Sequence, residues 1–169
     1  INVMGMTKSL QERIFISANI LSNKTRFICV RYGNVLASRG SVIPLFHEQI
    51  KTGGPITITD IRMTRFLLTL DQAVDTVFCA FVNGRPGEIV VPRAPSALMT
   101  DIAKILIGTR NIEIKITGIR PGEKLHEIMI SEEEAPFVRT LNDFYAIGSL
   151  LPELNPTGYT TDSVLKSEY

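Results

Sequence analysis

Three stretches of the sequence bring together side chains that could bind a charged ligand. They are Asn2-Val3-Met4-Gly5-Met6-Thr7-Lys8, Arg31-Tyr32-Gly33-Asn34-Val35-Leu36-Ala37-Ser38-Arg39-Gly40-Ser41-Val42-Ile43-Pro44, and Ile119-Arg120-Pro121-Gly122-Glu123-Lys124-Leu125-His126-Glu127. The second and third stretches place cationic and small polar groups where predicted strands end, and α/β sheets bind their ligands there. Their spacing predicts an anion site.

The second stretch joins an amide side chain to a predicted helix start. Asn34 follows Gly33 and a predicted strand, where asparagine is either a turn residue or a ligand contact. The loop Arg39-Gly40-Ser41-Val42 then leads into a helix that carries Pro44 in its first turn. Free amides at a helix start and a guanidinium both bind anions, so this loop is a candidate contact.

Arginines also mark two other candidate contacts. Arg65 leads directly into the predicted strand 66–68, which would place its guanidinium near the cleft, so we favour it over Arg62 as the ligand contact. Arg120 precedes a Pro-Gly turn and offers a planar fork to phosphate, while Glu123 offers two acceptor oxygens.

His126 and Glu127 could suggest a metal ligand or a general base. They are adjacent in sequence, so a helix would not place them on one face. The other histidine of the chain, His47, is distant in sequence. The sequence therefore predicts no metal site.

The charge balance argues against nucleic acid as a partner. The chain of 169 residues carries 18 basic and 17 acidic residues, a net charge of +1, without the clustered basic excess of a nucleic-acid-binding surface. No apolar run approaches the roughly 20 residues that span a bilayer.

Cys29 and Cys79 lie in apolar runs and are expected to be reduced and buried, as in a cytoplasmic protein.

The hydrophobic pattern predicts alternating helices and strands, which favours an α/β fold with a mostly parallel sheet. No glycine-rich G-x-x-G-x-x-G turn follows a predicted strand. Beyond residue 147 an extended tail is expected. The predicted helices are 3–21, 42–51, 72–82, 98–107 and 123–129, and the predicted strands are 26–32, 56–58, 66–68, 88–91 and 112–116.

The order of these motifs resembles one family. N-x-M-G-x-x-K, R-Y-G-N-V-x-x-S-R-G-S-V-I-P, M-T-R-F and G-I-R-P-G-E-K-L-H-E together resemble the nucleotide-sugar branch of the extended short-chain dehydrogenases/reductases, over residues 2 to about 147. Within that branch they are similar to the UDP-N-acetylglucosamine 4,6-dehydratases of polysaccharide biosynthesis.

The resemblance implies the C-terminal part of such a protein, with a partial Rossmann parallel sheet and a smaller substrate-binding subdomain. Residues 1–35 would end the NAD(P)-binding Rossmann domain. Residues 36–147 would form mostly the UDP-sugar-binding subdomain with returning Rossmann elements, and residues 148–169 an extended C-terminal tail.

The resemblance also implies residue roles. Lys8 would hold the nicotinamide ribose of NADP, or alternatively NAD. Met4 occupies the position of the family's catalytic tyrosine and has no proton to give, so an Asp-Lys acid/base pair is expected upstream of this chain. The residues implied to contact UDP-N-acetylglucosamine are Asn34, Arg39, Ser41, Val42, Arg65, Arg120 and Glu123.

The implied activity is 4,6-dehydration with inversion at C5, giving a UDP-4-keto-6-deoxy-N-acetylhexosamine for capsule or O-antigen polysaccharide. A C5-retaining dehydratase and a UDP-sugar 4-epimerase or reductase are alternatives, and a non-catalytic UDP-sugar-binding module is an alternative of another class. A cytoplasmic homo-oligomer is expected for the full-length protein. The isolated chain is expected to be inactive and to bind dinucleotide poorly.

Overall fold

Four α-helices and nine short strands form the part of the chain described by the computed structural model, which covers residues 3–36, 38, 40–155 and 164–169. The predicted helices 3–21 and 42–51 are confirmed with those bounds. The helices are α1 (Val3–Leu21), α2 (Val42–Lys51), α3 (Leu70–Asn83) and α4 (Met99–Ile107).

The strands are β1 (Cys29–Val30), β2 (Asn34–Val35), β3 (Ile56–Ile58), β4 (Thr64–Leu68), β5 (Ile89–Pro92), β6 (Ser96–Leu98), β7 (Ile114–Ile116), β8 (Val138–Leu141) and β9 (Phe144–Ile147). Over the described ranges they form sheets in the orders β1-β5-β9-β8, β2-β4-β6 and β3-β7. The pairs β1/β5, β2/β4 and β3/β7 are parallel, and the other pairs are antiparallel. The expected α/β fold with a partial parallel sheet is confirmed.

Residue contacts divide the chain into two compact units. The first contains Ile1–Tyr32, Asp71–Arg93 and Ile128–Tyr169, and the second contains Gly33–Leu70 and Ala94–Glu127. These divisions differ from the predicted boundaries after residues 35 and 147, because the chain passes repeatedly from one unit to the other. The functional labels given to the predicted segments stay predictions.

An apolar cluster fixes the second unit. Buried side chains on α2 and α4 recur every four residues, which places each set on one face of its helix. They pack with buried residues of β3 and of the loop after it. The cluster consists of Phe46, Ile50, Ile56, Ile58, Met63, Met99, Ala103 and Ile107.

Gly33 permits the close approach of β2 to β4. A Cβ built at Gly33 would lie 2.5 Å from the Phe66 Cβ and 2.8 Å from the Phe66 carbonyl oxygen. Both distances are too short for any side chain, so glycine lets the strand pair form and places Asn34 opposite Leu67 in the register.

We expect Gly33→Ala to destabilise the chain by about 1–3 kcal/mol, the usual range for an overpacked site. Thermal and urea denaturation measure the change. Gly148→Ala is the matched control, because the nearest atom to a Cβ there is the Phe137 carbonyl oxygen at 3.4 Å. Equal stability of the two variants would contradict the steric argument.

The predicted helix over 123–129 is wrong. Residues 123–129 contain no helix, and the backbone carbonyls of Lys124 and Leu125 instead accept hydrogen bonds from the Arg65 side chain. The Leu125 carbonyl also accepts from the Thr64 amide at 3.2 Å. These tertiary bonds replace the local bonds that a helix would make.

Three other expectations need correction. The predicted strand 26–32 pairs as a strand only at Cys29–Val30. The predicted helix 72–82 begins earlier, at Leu70, so Asp71 lies inside its first turn. The region after residue 132 contains the hairpin β8–β9, which the sequence pattern did not reveal.

Arg31 holds three parts of the first unit together. Its guanidinium donates to both carboxylate oxygens of Glu12 and both of Glu134, at 2.7–2.8 Å, and to the Met129 carbonyl at 2.9 Å. Glu134 is 5% exposed, and it also accepts from the Ser131 amide. A largely desolvated ion-pair network therefore joins α1 to β1 and to the segment before β8.

Both cysteines are half-buried, and burial raises the pKa of the Cys29 and Cys79 thiols. Among the described helices, none has both the length and the apolar character that a membrane span requires.

Candidate functional site

A cavity of about 240 Å³ lies within the second unit. Its floor is apolar and includes Phe46, Ile58 and Met63, which belong to the core cluster. Six of the seven predicted substrate-binding residues line it, and Arg39 lies outside the described residues. The six are Asn34, Ser41, Val42, Arg65, Arg120 and Glu123. The fold brings them to one cavity, while their substrate-binding role stays a prediction.

The cavity also has a threonine wall that sequence reasoning missed. Thr57 and Thr59 alternate with isoleucines around β3, and Thr117 follows β7. The alternation Ile56-Thr57-Ile58-Thr59 was the available signal, because it puts polar side chains on one face of the strand. The Thr57 hydroxyl accepts from Gln49, and the Thr59 and Thr117 hydroxyls donate to the Met63 sulfur and the Ile58 carbonyl. What they offer a polar ligand is mainly their remaining acceptor lone pairs.

Ser41 presents a hydroxyl group that the protein itself does not use. It is the N-cap residue of α2, yet its side chain makes no capping hydrogen bond. The third helical residue is Pro44, which has no amide hydrogen, so the usual partner of a capping hydroxyl is missing. Among the described residues, the buried Ser41 Oγ has no hydrogen-bond partner. An unused hydroxyl in a cavity wall is available to a ligand.

We expect Ser41→Ala to leave the free energy of unfolding unchanged or slightly higher, because it removes a buried hydroxyl without a partner. Binding of UDP should weaken by roughly tenfold, since hydrogen bonds to charged groups contribute about 1.5 kcal/mol or more. Urea denaturation and calorimetric titration with UDP test both parts. Ser38→Ala, at an exposed serine of the same loop, serves as the control. A loss of stability with unchanged binding would give Ser41 a structural role instead.

A tight turn presents Arg120. The Glu123 amide donates to the Arg120 carbonyl at 3.0 Å, with Pro121 and Gly122 as the central residues. Gly122 has φ +81°, which the third position of a type II turn requires. The Glu123 carboxylate accepts from the Arg120 amide at 3.2 Å and closes the turn.

The Arg120 side chain is free to meet a ligand. Residue 120 is exposed, and its guanidinium has no hydrogen bond or ion pair with any residue in the described ranges. It lines the cavity together with Glu123. A cation and a carboxylate side by side can bind a phosphate and a neighbouring hydroxyl group.

The Arg65 guanidinium already makes hydrogen bonds within the protein. Its Nη1 donates to the carbonyls of Thr64 and Leu125, at 2.6 and 3.1 Å, and its Nη2 donates to the Lys124 carbonyl at 3.0 Å. Its Nε lies 3.8 Å from a Glu127 carboxylate oxygen, and its side chain is 12% exposed. Arg65 therefore reaches the cavity wall with most of its donors already used.

Arg62 forms a local ion pair. The Asp60 carboxylate accepts from the Arg62 guanidinium at 2.8 and 3.0 Å and from the Arg62 amide at 2.8 Å. These bonds lower the pKa of Asp60 to about 2. Arg65 lines the cavity and Arg62 does not, while the preference for Arg65 over Arg62 as the ligand contact stays a prediction.

His126 and Glu127 take part in holding their own loop. The Thr64 hydroxyl lies 2.7 Å from His126 Nδ1, and Glu127 faces Arg65. Within the described ranges, no group of three or more histidine, cysteine, aspartate or glutamate side chains is placed to bind a metal ion.

Met4 and Lys8 are both exposed on α1, which belongs to the first unit. Lys8 Nζ lies 3.4 Å from Gln11 Oε1. Lys8 is the residue of this chain that is expected to hold a dinucleotide, and the sequence has no glycine-rich turn after a predicted strand.

The fold is the partial α/β fold of an extended short-chain dehydrogenase/reductase, and its second unit carries a cavity lined by polar and cationic side chains. The chain belongs to the polysaccharide biosynthesis protein family, whose profile matches residues 1–148.

Two relatives and one solved structure show how far the similarity reaches. The inverting UDP-N-acetylglucosamine 4,6-dehydratase of Campylobacter jejuni is 45% identical over 87% of this chain and 44% of its own length. The UDP-glucose 4-epimerase of Rickettsia canadensis is 42% identical over 98% of this chain and 50% of its own. The X-ray structure of Pen from Bacillus thuringiensis superposes with a TM-score of 0.81 at 35% identity, over 96% of this chain and 50% of that one. The chain thus spans about half the length of these relatives.

Proposed function

We propose that the full-length protein is a UDP-N-acetylglucosamine 4,6-dehydratase that inverts C5, and that this chain supplies most of its UDP-sugar pocket. The product would be a UDP-4-keto-6-deoxy-N-acetylhexosamine for capsule or O-antigen polysaccharide. The overall change would turn the C4 hydroxyl group into a ketone and the C6 hydroxymethyl group into a methyl group, with the loss of one water molecule.

The observation that carries the proposal is the pair of unused donors in the cavity wall. The Ser41 hydroxyl is buried without a partner, and the Arg120 guanidinium has none among the described residues. The amides of Val42 and Ile43 begin α2 and have no partner within that helix. A hydroxyl, two helix-start amides and a guanidinium together suit a diphosphate.

The other polar residues fit the remaining parts of a nucleotide sugar. Glu123 has two acceptor oxygens, one of which accepts from the Arg120 amide, so the other is offered to a ribose or uracil group. The exposed Asn34 carboxamide, at the wall of the same cavity, provides a donor and an acceptor for the diphosphate or the sugar.

Met4 favours a dehydratase over a 4-epimerase. The resemblance assigns residue 4 to the tyrosine position of the superfamily, and a thioether cannot donate or accept the proton that a phenol transfers. A 4-epimerase nevertheless remains the second candidate, because the R. canadensis relative bearing that name covers 98% of this chain.

We propose NADP as the cofactor, with NAD as the alternative. Such a cofactor supplies the reversible oxidation that the reaction needs and ends unchanged, so no external reductant is consumed. Lys8 is the residue of this chain that would hold its ribose.

Incubating the full-length protein with UDP-N-acetylglucosamine in D₂O tests the proposal. NMR should show a 4-keto-6-deoxy product with deuterium and inverted configuration at C5. Retained configuration would favour the C5-retaining dehydratase, and UDP-N-acetylgalactosamine without a keto product would favour the epimerase. Saturable binding of UDP-N-acetylglucosamine with no conversion would favour the non-catalytic module.

A further inference from the structure

We propose that Arg65 is a positioning residue, which fastens the loop 120–127 to β4 so that Arg120 meets the ligand. The inference rests on the proposed function for the nature of that ligand, a UDP-sugar. It revises the expectation that Arg65, like Arg120, contacts the UDP-sugar directly.

The donors of Arg65 are already committed. A guanidinium has five N–H groups, and a two-pronged contact with phosphate needs two that point the same way. Three backbone carbonyls accept hydrogen bonds from both Nη1 hydrogens and one Nη2 hydrogen of Arg65, and its Nε faces the Glu127 carboxylate. For Arg65 to make a two-pronged contact with a phosphate, some of these hydrogen bonds would have to break.

The acceptors of Arg65 lie in the loop that carries Arg120. The carbonyls of Lys124 and Leu125 accept from its guanidinium, and the adjacent Thr64 contributes its amide to Leu125 and its hydroxyl to His126. Consecutive residues of β4 therefore hold consecutive residues of the loop. The Arg65 side chain is only 12% exposed. Its bonds to the Thr64 and Leu125 carbonyls are partly buried, where hydrogen bonds are stronger, while the bond to the Lys124 carbonyl is exposed.

The fastening fixes the position of Arg120. The turn from Arg120 to Glu123 is closed by two hydrogen bonds, so it moves as a unit. The turn is followed at once by Lys124 and Leu125. When these two residues are held on β4, the Arg120 backbone has little freedom, and its side chain reaches the cavity at a low entropy cost.

A double-mutant cycle with UDP as the probe separates positioning from direct contact. The variants are Arg65→Gln, Arg120→Ala and the pair. If Arg65 acts through Arg120, each single change weakens UDP binding about tenfold, and the pair binds within about threefold of Arg120→Ala alone. If Arg65 contacts the diphosphate itself, the losses multiply to about a hundredfold, and the proposal is overturned.

A ligand-free measurement tests the fastening separately from the proposed function. The Thr64 amide donates to the Leu125 carbonyl, so its hydrogen exchange reports whether the loop is attached to β4. Arg65→Gln should speed this exchange about tenfold or more, while Arg120→Ala should leave it unchanged. Unchanged exchange in Arg65→Gln would overturn the proposal. If the wild-type chain did not bind UDP at all, the proposed function would fail while the exchange result still decided whether Arg65 fastens the loop.

Global unfolding of Arg65→Gln would obscure both measurements, so the melting temperature of each variant is recorded. Arg65→Lys takes its place if needed, because lysine keeps the charge and the apolar stem but lacks the planar fork. For Arg65→Lys we expect the same non-additive loss of UDP binding when it is combined with Arg120→Ala, and the same faster hydrogen exchange of the Thr64 amide. Additive losses, or Thr64 exchange at the wild-type rate, would again overturn the proposal.

Discussion

Replacing Arg31 with alanine is expected to remove about 3–5 kcal/mol from the free energy of unfolding, the usual cost of breaking a buried ion pair. The loss is large because Glu134 is 5% exposed and would keep its charge without its main partner. Glu12 would lose the same cation. Since small domains have only about 5–15 kcal/mol of stability, the change would remove a large share of the total.

Urea denaturation of the wild type and of Arg31→Ala gives the two free energies of unfolding directly. Arg62→Ala is the control, because Arg62 also forms a two-pronged ion pair with a carboxylate, but its side chain is 67% exposed. Exposed pairs contribute little, so this variant should unfold nearly as the wild type does. A similar small effect of Arg31→Ala would show that burial does not strengthen the Arg31 network.

The same network predicts how stability depends on pH. Burial alone would raise the pKa of Glu134, but hydrogen bonds from Arg31 and from the Ser131 amide outweigh it and hold the pKa below its ordinary value. The stabilisation is therefore present above the pKa of the unfolded chain and is lost as the pH falls through the lower folded value. The wild type should lose more stability than Arg31→Ala between pH 5 and the acid limit of folding, at roughly pH 3.

Replacing Arg120 with alanine is expected to weaken UDP binding at least tenfold, which corresponds to about 1.4 kcal/mol. Arg120 is the lining arginine whose guanidinium lacks a partner in the described part of the chain. The net charge of +1 provides no broad basic surface that could replace it. Titration calorimetry of the chain with UDP measures the change.

Arg62→Ala is again a suitable control, because it removes an arginine of the same unit that does not line the cavity. It should leave UDP affinity unchanged. The melting temperature of Arg120→Ala should match the wild type, since the lost side chain has no partner among the described residues. Unchanged affinity in Arg120→Ala would remove this residue from the site.

Local chemistry in the sequence was enough to predict several features. Pro44 in the first turn of α2 and the apolar spacing after it defined that helix from Val42 to Lys51. Proline and glycine at 121 and 122 determined the turn that presents Arg120, because their backbone preferences match its two central positions. The place of Ser41 directly before α2 was predictable for the same reason, while the binding roles of the candidate site residues stay predictions.

The partners of these residues could not be predicted from local chemistry. Arg31 and Arg65 look alike as arginines beside short strands, yet one is enclosed by two carboxylates and the other by backbone carbonyls. The segment 123–129 had a helical pattern but stays irregular, because the Arg65 side chain and the Thr64 amide donate hydrogen bonds to two of its carbonyls.

The sequence by itself determined which residues carry charge, which turns form and where helices begin, because those properties depend on neighbours along the chain. Only the tertiary structure decided which charges are neutralised and which stay free. A guanidinium bonds to whatever acceptors the fold brings within about 3 Å, and for Glu134 that partner, Arg31, lies 103 positions away in sequence. Arg120 is left available to a ligand for the same reason, since the fold places no acceptor from the described residues beside it.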